Sequence, residues 1–304
     1  MKLAQNLFEP AISQISAEHI NRPSTTMMQD AWRRFTLNKL AMAGLVTLAG
    51  LIIFAFIGPF IIKYNYYSND LMNTYLPPSW IHPFGTDALG RDSMARLMYG
   101  GRVSLAIGFV SVLINLSIGV FYGGISGYFG GRIDNVMMRI IDIIYSVPDL
   151  LYVILLMVVM GKGGLLNIMI VLGIVNWMGM ARIVRGQILA LREQEYVLAA
   201  RTLGASTARL MLKHLIPNAL GPIIITSALA IPSAIFMEAF LSFIGIGIQP
   251  PFASWGSLAA DGRLNIPSYP YALFFPAAAI AITMLAFNFV GDGLRDAFDP
   301  KMRK

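Results

Sequence analysis

The sequence contains no cysteine and only three histidines among its 304 residues. Without cysteine, a disulfide scaffold and any cysteine-ligated metal site are excluded. The His-Glu-x-x-His pattern of a zinc hydrolase is also missing. We therefore predict no catalytic site, no metal site and no cofactor bound by this chain.

Charged residues are scarce as well. They make up 13% of the chain, whereas apolar residues reach 56% and the mean hydropathy is +0.64. A soluble domain carries about 25% charged residues, so this composition indicates a protein of the lipid bilayer. The net charge of +7 is explained by basic loops kept inside the cell, and we expect no nucleic-acid partner.

A phosphate-binding P-loop is also absent. Its pattern is Gly-x-x-x-x-Gly-Lys-Ser/Thr, and the only Gly-Lys pair here is Gly161-Lys162, with Leu156 where the first glycine is required. The chain is therefore predicted to bind no ATP itself, and any energy from ATP has to reach it through a partner.

Six apolar segments are long enough to cross a membrane. The first covers about 34 Å as a helix, and a hydrocarbon core is about 30 Å thick. The third contains Pro148 near its middle, and prolines are tolerated in membrane helices. The sequence therefore predicts an all-α polytopic protein with six transmembrane helices. The predicted spans are Leu40–Ile62, Val103–Ile125, Val136–Met160, Leu165–Ala181, Ala219–Phe243 and Tyr271–Val290.

Basic residues set the predicted orientation. Most lie before the first span, between the fourth and fifth spans, and after the sixth, so the positive-inside rule places both termini in the cytoplasm. The N-terminus does not resemble a cleavable signal peptide, and the protein is predicted to be a multi-pass component of a prokaryotic plasma membrane. The predicted organisation is a cytoplasmic segment 1–38, a first span with an extracytoplasmic loop 39–100, a core 101–292 with five spans, and a cytoplasmic tail 293–304.

The segment between the fourth and fifth spans is the most informative part of the chain. Glu195 to Leu203 contains good helix formers, Gly204 suits a helix end, and a second helical stretch follows from Ser206 to His214. Pro217 then lies at the start of the next span, where proline is favoured. This pattern predicts two short cytoplasmic helices joined by a turn, and small residues near the turn permit close approach of another protein.

This segment resembles the EAA loop of ABC importer permeases. The match places the paired alanines, the glycine and the proline at the spacing of that motif, whereas Leu198 replaces its Glu and His214 replaces its Ile. The resemblance implies that the loop 187–217 couples the permease to a separate ATPase. The residues implied in this coupling are Glu195, Ala199, Ala200, Gly204, Ala205, His214 and Pro217.

Other motifs resemble the C-type permeases of oligopeptide and dipeptide importers, over nearly the whole chain from residue 30. They are Asp30-Ala-Trp-Arg-Arg-Phe35, Phe84-Gly-Thr-Asp87, Gly90-Arg-Asp92, Gly101-Arg-Val-Ser-Leu105, Gly127-Tyr-Phe-Gly-Gly-Arg132 with Asp134, Ala181-Arg-Ile-Val-Arg-Gly-Gln187, Ser254-Trp-Gly256 and Asn288-Phe-Val-Gly-Asp-Gly-Leu-Arg-Asp296. The resemblance implies a type I ABC importer permease fold. It also implies a homologous B-type permease, two ATPase subunits carrying ATP and Mg, and an extracytoplasmic binding protein that delivers peptides to 63–100 and 246–269.

Polar groups inside the spans are costly in lipid, so they indicate a pathway or a helix interface. Arg139 and Asp142 are spaced to pair, and Asp149 follows Pro148 where it is placed to cap the upper half of a broken helix. Before the second span, Asp92 and Arg96 are four residues apart and are also spaced to form a helical ion pair. For Glu238 two interpretations stay open, a pathway residue or an interhelical hydrogen bond. The candidate pathway or interface residues are Glu238, Asp149, Ser242 and Asn115.

Three alternatives stay open at this stage. A permease for dipeptides or nickel chelates would show the same motifs. A secondary transporter or channel would work without an ATPase, although no internal repeat favours one. An intramembrane enzyme would need a catalytic constellation, and none is evident.

Overall fold

The computed structural model describes residues 26–161 and 164–299, and all regular structure in these ranges is helical. Residues 1–25 of the predicted N-terminal segment and residues 300–304 of the predicted C-terminal tail therefore lie outside the described residues. The helices are α1 Met27–Leu37, α2 Lys39–Phe56, α3 Gly58–Ile61, α4 Ser93–Phe129, α5 Gly131–Tyr145, α6 Asp149–Val159, α7 Leu165–Val175, α8 Trp177–Leu191, α9 Glu195–Thr202, α10 Thr207–Leu210, α11 Ile216–Phe243, α12 Trp255–Arg263 and α13 Tyr271–Phe298.

Within residues 26–161 and 164–299, five helical segments are long and apolar enough to cross a membrane. A sixth candidate is formed by α5 and α6, which are bent by 81° relative to each other. The predicted all-α polytopic architecture is thus confirmed, with six spans when the bent pair counts as one. The five are Lys39–Phe56, Ser93–Phe129, Leu165–Leu191, Thr207–Phe243 and Tyr271–Phe298.

The third predicted span is broken rather than continuous. The helix stops at Tyr145 and resumes at Asp149, because Pro148 has no backbone N–H and disfavours helical geometry in the residue before it. Asp149 was predicted to cap the second half and does not. Pro148 occupies the capping position, no side chain caps the helix, and Asp149 is the first helical residue.

Four helical spans are longer than predicted, and two of the predicted ends lie next to charged residues, Arg102 and Arg182. The helix α4 begins ten residues before Val103, and α8 extends the fourth span to Leu191. The arginines that interrupt the apolar pattern, Arg96 and Arg185, are held in ion pairs with Asp87 and Asp134. Since these charges are compensated within the protein, the helices continue through them.

Glycines permit close packing between α4 and α8. A Cβ atom added at Gly119 would lie 2.6 Å from Met180, one at Gly123 would collide with the backbone of Ala181, and one at Gly127 would lie 2.8 Å from the carbonyl oxygen of Arg185. These small residues therefore pack a neighbouring span of the same chain.

The bundle has two ends that differ in structure. We call the end formed by 57–104 and 244–270 the loop end, and the end formed by 127–133, 192–218 and 293–299 the hairpin end. The helix α4 has 37 residues and is about 55 Å long at 1.5 Å per residue. It is a single element that reaches from one end to the other.

Candidate coupling hairpin and buried polar network

The helices α9 and α10 form a hairpin around Gly204, which has a φ of +82°. The N–H of Ala205 donates to the carbonyl of Ala200 at 3.1 Å, and the N–H of Gly204 donates to that of Arg201 at 3.0 Å. These two bonds define a Schellman motif, in which glycine is favoured because it has no Cβ to strain. Ser206 then caps α10 by accepting from the N–H of Arg209 at 3.3 Å.

Three buried aliphatic side chains anchor the hairpin to the bundle. Val197 of α9, Leu210 of α10 and Leu215 of the following turn are all at most 1% exposed. They belong to one apolar cluster with residues of α8 and α11. Burial of each side chain contributes on the order of 2 kcal/mol to stability. The inner face of the hairpin is therefore packed against the bundle, and its outer face is exposed.

The outer face of the hairpin combines apolar and basic side chains. Leu203 is 88% exposed, Leu212 is 68% exposed, and Arg201 and Arg209 are exposed beside them. Two large apolar side chains are thus exposed close to basic ones on this face. Within the described residues, no side-chain hydrogen bond or ion pair holds Arg209, so its charge is available to a partner.

The structure brings the predicted coupling residues to this hairpin, with one correction. The predicted second stretch, Ser206–His214, is not a separate helix, because α10 continues through a π-helical turn, Met211–Leu215, directly into α11. Such turns often mark functional sites. Glu195, Ala199, Gly204 and Pro217 are exposed, whereas Ala200, Ala205 and His214 are half-buried.

The hairpin also contacts the end of α4, which sequence reasoning missed. The hydroxyl of Tyr128 donates to Thr207 Oγ1 at 3.3 Å, and the guanidinium of Arg201 lies 5.9 Å from the centre of the Tyr128 ring. Arg192 Nη1 donates to the carbonyls of Gly127 and Tyr128 at 3.0 and 3.1 Å. The hairpin and the end of α8 are therefore in direct contact with the end of α4.

A second feature missed from sequence clamps α4, α5 and α8 together near the hairpin. Arg185 donates to both oxygens of Asp134 at 2.5 and 2.6 Å, and Ser126 donates to Asp134 Oδ1 at 2.5 Å. Asp134 is buried. Both residues lie in motifs that carry the permease resemblance, but their pairing over 51 positions left no local signal.

Glu238 lies at the junction of α11, α4 and α12 and is completely buried. Its Oε1 accepts from Ser254 at 2.6 Å and from Ser242 at 2.7 Å, and its Oε2 lies 3.4 Å from Ser104 Oγ. Ser104 in turn accepts from the N–H of Trp255 at 3.1 Å. The geometry of Glu238 and Ser242 is that of an interface between helices of one chain.

The other polar residues inside the spans are placed differently. Asn115 is 5% exposed, and its Oδ1 is buried without a hydrogen-bond partner. Asp142 was predicted to pair with Arg139 and pairs instead with Arg182 at 2.8 Å, because the arrangement of α5 and α8 brings these two residues together. Asp149 is half-buried at the bend of the third span.

Charged residues at the loop end also pair differently from the predicted Asp92–Arg96 contact. Asp87 binds Arg91 at 2.7 Å and Arg96 at 2.5 Å. Asp92 instead caps α4 through the N–H of Ala95 at 2.7 Å and lies 2.9 Å from His82 Nδ1. Burial raises the pKa of Asp87, but Arg96, Arg91 and the backbone N–H groups outweigh it and lower that pKa from 3.8.

A cavity of about 460 Å³ opens at the loop end between the loop before α4, α12 and the start of α13. Its walls are mainly apolar, with Leu97, Leu258 and Phe275 among them, and Asp87 and Asp261 are its acidic residues. Within residues 26–161 and 164–299, no group of three or more histidine or acidic side chains is placed to bind a metal ion.

Two family models match the chain. The model for the inner membrane component of binding-protein-dependent transport systems matches residues 119–304. The chain belongs to this family. The N-terminal membrane domain of oligopeptide transport permease C matches residues 26–78, so the two matches include both the first span and the coupling hairpin of this permease.

Curated relatives extend the match over the whole permease. It is 52% identical over 303 residues to the oligopeptide transport system permease protein OppC of Bacillus subtilis, covering 99% of both chains. It is 54% identical over 289 residues to the dipeptide transport system permease protein DppC of the same organism, covering 95% of this chain and 90% of the relative. OppC of Escherichia coli is 42% identical over 289 residues. The chain is thus a multi-pass inner-membrane permease of the ABC importer type.

Solved structures agree on the fold. An inward-facing structure of the MetNI methionine ABC transporter covers 66% of this permease, and the match covers 94% of that chain, with a TM-score of 0.53 and 19% identity. A second crystal form covers 68% of the permease and 97% of that chain, with a TM-score of 0.50 and 21% identity. The predicted type I importer permease fold is confirmed.

Proposed function

We propose that this chain forms half of the translocation pathway of an ATP-driven oligopeptide importer. The observation that carries the proposal is the anchored hairpin of α9 and α10. It presents Leu203 and Leu212 between basic side chains, at the end of the bundle where α4 and α11 both meet it. A separate ATPase docked there could move both spans at once.

The proposal includes four kinds of partner. A homologous B-type permease would supply the other half of the pathway, and two ATPase subunits would bind ATP and Mg, since no P-loop occurs in the sequence. An extracytoplasmic binding protein would deliver the peptide at the loop end. Both termini and the hairpin would then face the cytoplasm, in agreement with the basic residues of the hairpin.

Transport by the complete complex in lipid vesicles tests this proposal. We expect uptake of a labelled pentapeptide with ATP and none with ADP, and we expect deletion of Leu198–Gly204 to abolish stimulation of the ATPase by the peptide-loaded binding protein. Uptake that proceeds at the same rate without ATP would instead assign a secondary transporter.

A dipeptide importer is the second candidate, because identity to the dipeptide permease of Bacillus subtilis is 54%, similar to the 52% for its oligopeptide permease. Competition in the same vesicles separates the two. Pentapeptide uptake that is inhibited by unlabelled pentapeptide and not by dipeptides supports the first function, and the reverse pattern supports the second.

A further inference from the structure

The environment of Glu238 is unusual for a buried carboxyl group. Its partners are hydroxyl groups from three helices, Ser104, Ser242 and Ser254, and no lysine or arginine pairs with it within the described residues. A buried charge normally requires a cation or several hydrogen bonds. Here the carboxyl group of Glu238 accepts hydrogen bonds from α4, from α11 and from the N-terminus of α12.

The N-terminus of α12 lies next to this carboxyl group and is hydrogen-bonded to it through Ser254. Ser254, which donates to Glu238, is also the residue that caps α12 by accepting from the N–H of Ser257 at 3.0 Å. The start of a helix carries partial positive charge and favours a nearby anion. Glu238 is therefore tied to α12 by a hydrogen bond and by its field.

The same helix that contacts Glu238 at the loop end contacts the hairpin at the other end. Ser104 and Tyr128 both belong to α4 and are 24 positions apart, which corresponds to about 36 Å of helix. We propose that Glu238 is the positioning residue that makes α12 move as one body with α4 and α11. It would thereby carry the motion of the hairpin end to the loop end.

Apolar packing holds α12 on the bundle independently of this tie. Trp255 is completely buried and donates from Nε1 to the carbonyl of Leu97 at 2.9 Å, and Gly256 lies directly against Ala239 of α11. Loss of Glu238 should therefore leave α12 folded against its neighbours while removing the polar contacts that fix its position. The expected defect is in coupling and not in assembly.

The inference rests on the proposed function, and its test is the number of peptides imported per ATP hydrolysed by the complex in vesicles. A reduced amount of folded protein lowers both rates equally and leaves this ratio unchanged. We expect Glu238→Ala to lower the ratio about 10-fold, which corresponds to a coupling loss of about 1.4 kcal/mol. Glu238→Gln keeps an acceptor for Ser242 and Ser254 and should lower the ratio less than about 3-fold.

Thr283→Val is the matched control. Thr283 is completely buried in α13, and its hydroxyl bonds only to the carbonyl of Ala279 in its own helix, so its removal should leave the ratio unchanged. Should Glu238→Ala fail to assemble, Ser104→Ala removes the two hydrogen bonds of the α4 serine, to Glu238 and from the N–H of Trp255. This variant should lower the ratio about 3-fold.

The contact itself is tested by a double-mutant cycle of Glu238→Ala with Ser254→Ala. Because the two residues act through each other, we expect the double variant to be no worse than the more severe single variant. Ratios that stay at the wild-type value in Glu238→Ala, or strictly additive effects in the cycle, would overturn the inference. Absence of ATP-dependent uptake by the wild-type complex would instead refute the proposed function.

Discussion

The two ends of this permease use their residues in opposite ways. At the hairpin end, α9 and α10 are fixed by a few buried aliphatic side chains, and Leu203 and Leu212 are left in the open. At the loop end, α12 buries its tryptophan completely and has its capping serine bonded to Glu238. The hairpin thus leaves large apolar side chains exposed, whereas the tryptophan of α12 is covered by its own chain.

This difference determines how far each end of the bundle can be predicted from the sequence. A surface that receives a partner needs local features, such as a helix stop and small residues, and these are adjacent in the chain. A surface completed internally needs contacts between distant positions, such as Ser104 with Glu238, which are 134 residues apart. Changes at the two ends should accordingly affect different measurements.

The largest effect is expected for Arg185→Ala near the hairpin end. This change leaves the buried Asp134 without its bidentate partner, and breaking such a pair costs about 3 kcal/mol, the low end of the usual range because Arg185 is 32% exposed on its side chain. Thermal unfolding in detergent should show a clear decrease of the midpoint. The control Arg182→Ala breaks the exposed pair with Asp142 and should cost less than about 1 kcal/mol. Equal decreases for both variants would contradict the assigned clamp.

A smaller effect is expected for Leu203→Asp on the open face of the hairpin. Because Leu203 is 88% exposed, folding stability should change by less than about 0.5 kcal/mol. Loss of an apolar contact with the ATPase should weaken its binding by about 2 kcal/mol, roughly 30-fold. Titration of the ATPase onto the permease in nanodiscs measures this. Leu71→Asp, at an exposed site of the loop end, serves as the control, and weakening by both variants would show a nonspecific effect.

Sequence reasoning succeeded at the hairpin because its signals are local. Gly204 was predicted to end a helix and has a positive φ, and Pro217 lies in the first turn of α11 as predicted. The approximate positions of the spans followed from composition in the same way. Asp149 after Pro148 suggested a broken helix in the third span, but the angle of 81° between its halves was not predicted, because proline is tolerated inside many membrane helices.

Pairing across the bundle could not be predicted. Local spacing suggested Arg139 with Asp142 and Asp92 with Arg96, and both pairs were wrong because partners from other elements, Arg182 and Asp87, lie closer in space. For Glu238, the sequence left two interpretations open, a pathway residue or an interhelical hydrogen bond. The hydroxyl groups that bind it from α4 and α12 are brought to it by the packing of these helices against α11, which the sequence does not show.

Gly204→Val should have an effect of about 1–2 kcal/mol, since a β-branched residue is strained at a φ of +82°. An added Cβ meets no atom within 4 Å, so the cost comes from the backbone and shifts the turn. We expect ATPase stimulation to fall about 10-fold, and Gly204→Asn to retain more activity because asparagine tolerates this conformation. Gly186→Val is the control, because Gly186 is also unobstructed but lies inside α8. Full ATPase stimulation in Gly204→Val would show that the conformation of this turn is not required for coupling.

The smallest effect is expected for acidification at the loop end. The pKa of Asp87 is lowered from 3.8 in the folded protein, so its stabilising contribution is complete above that pH and is lost as the pH falls through the lowered value. Between pH 7 and pH 5 the ion pairs of Asp87 should therefore contribute no change in the unfolding midpoint. Below pH 3.8 the midpoint of the wild type should decrease more steeply than that of Asp87→Asn, which starts lower at pH 7 because Arg96 has lost its acceptor. Parallel pH profiles for the two proteins would show that Asp87 does not determine stability in acid. The hydrogen bonds of the loop end would then stabilise the protein independently of the charge of Asp87.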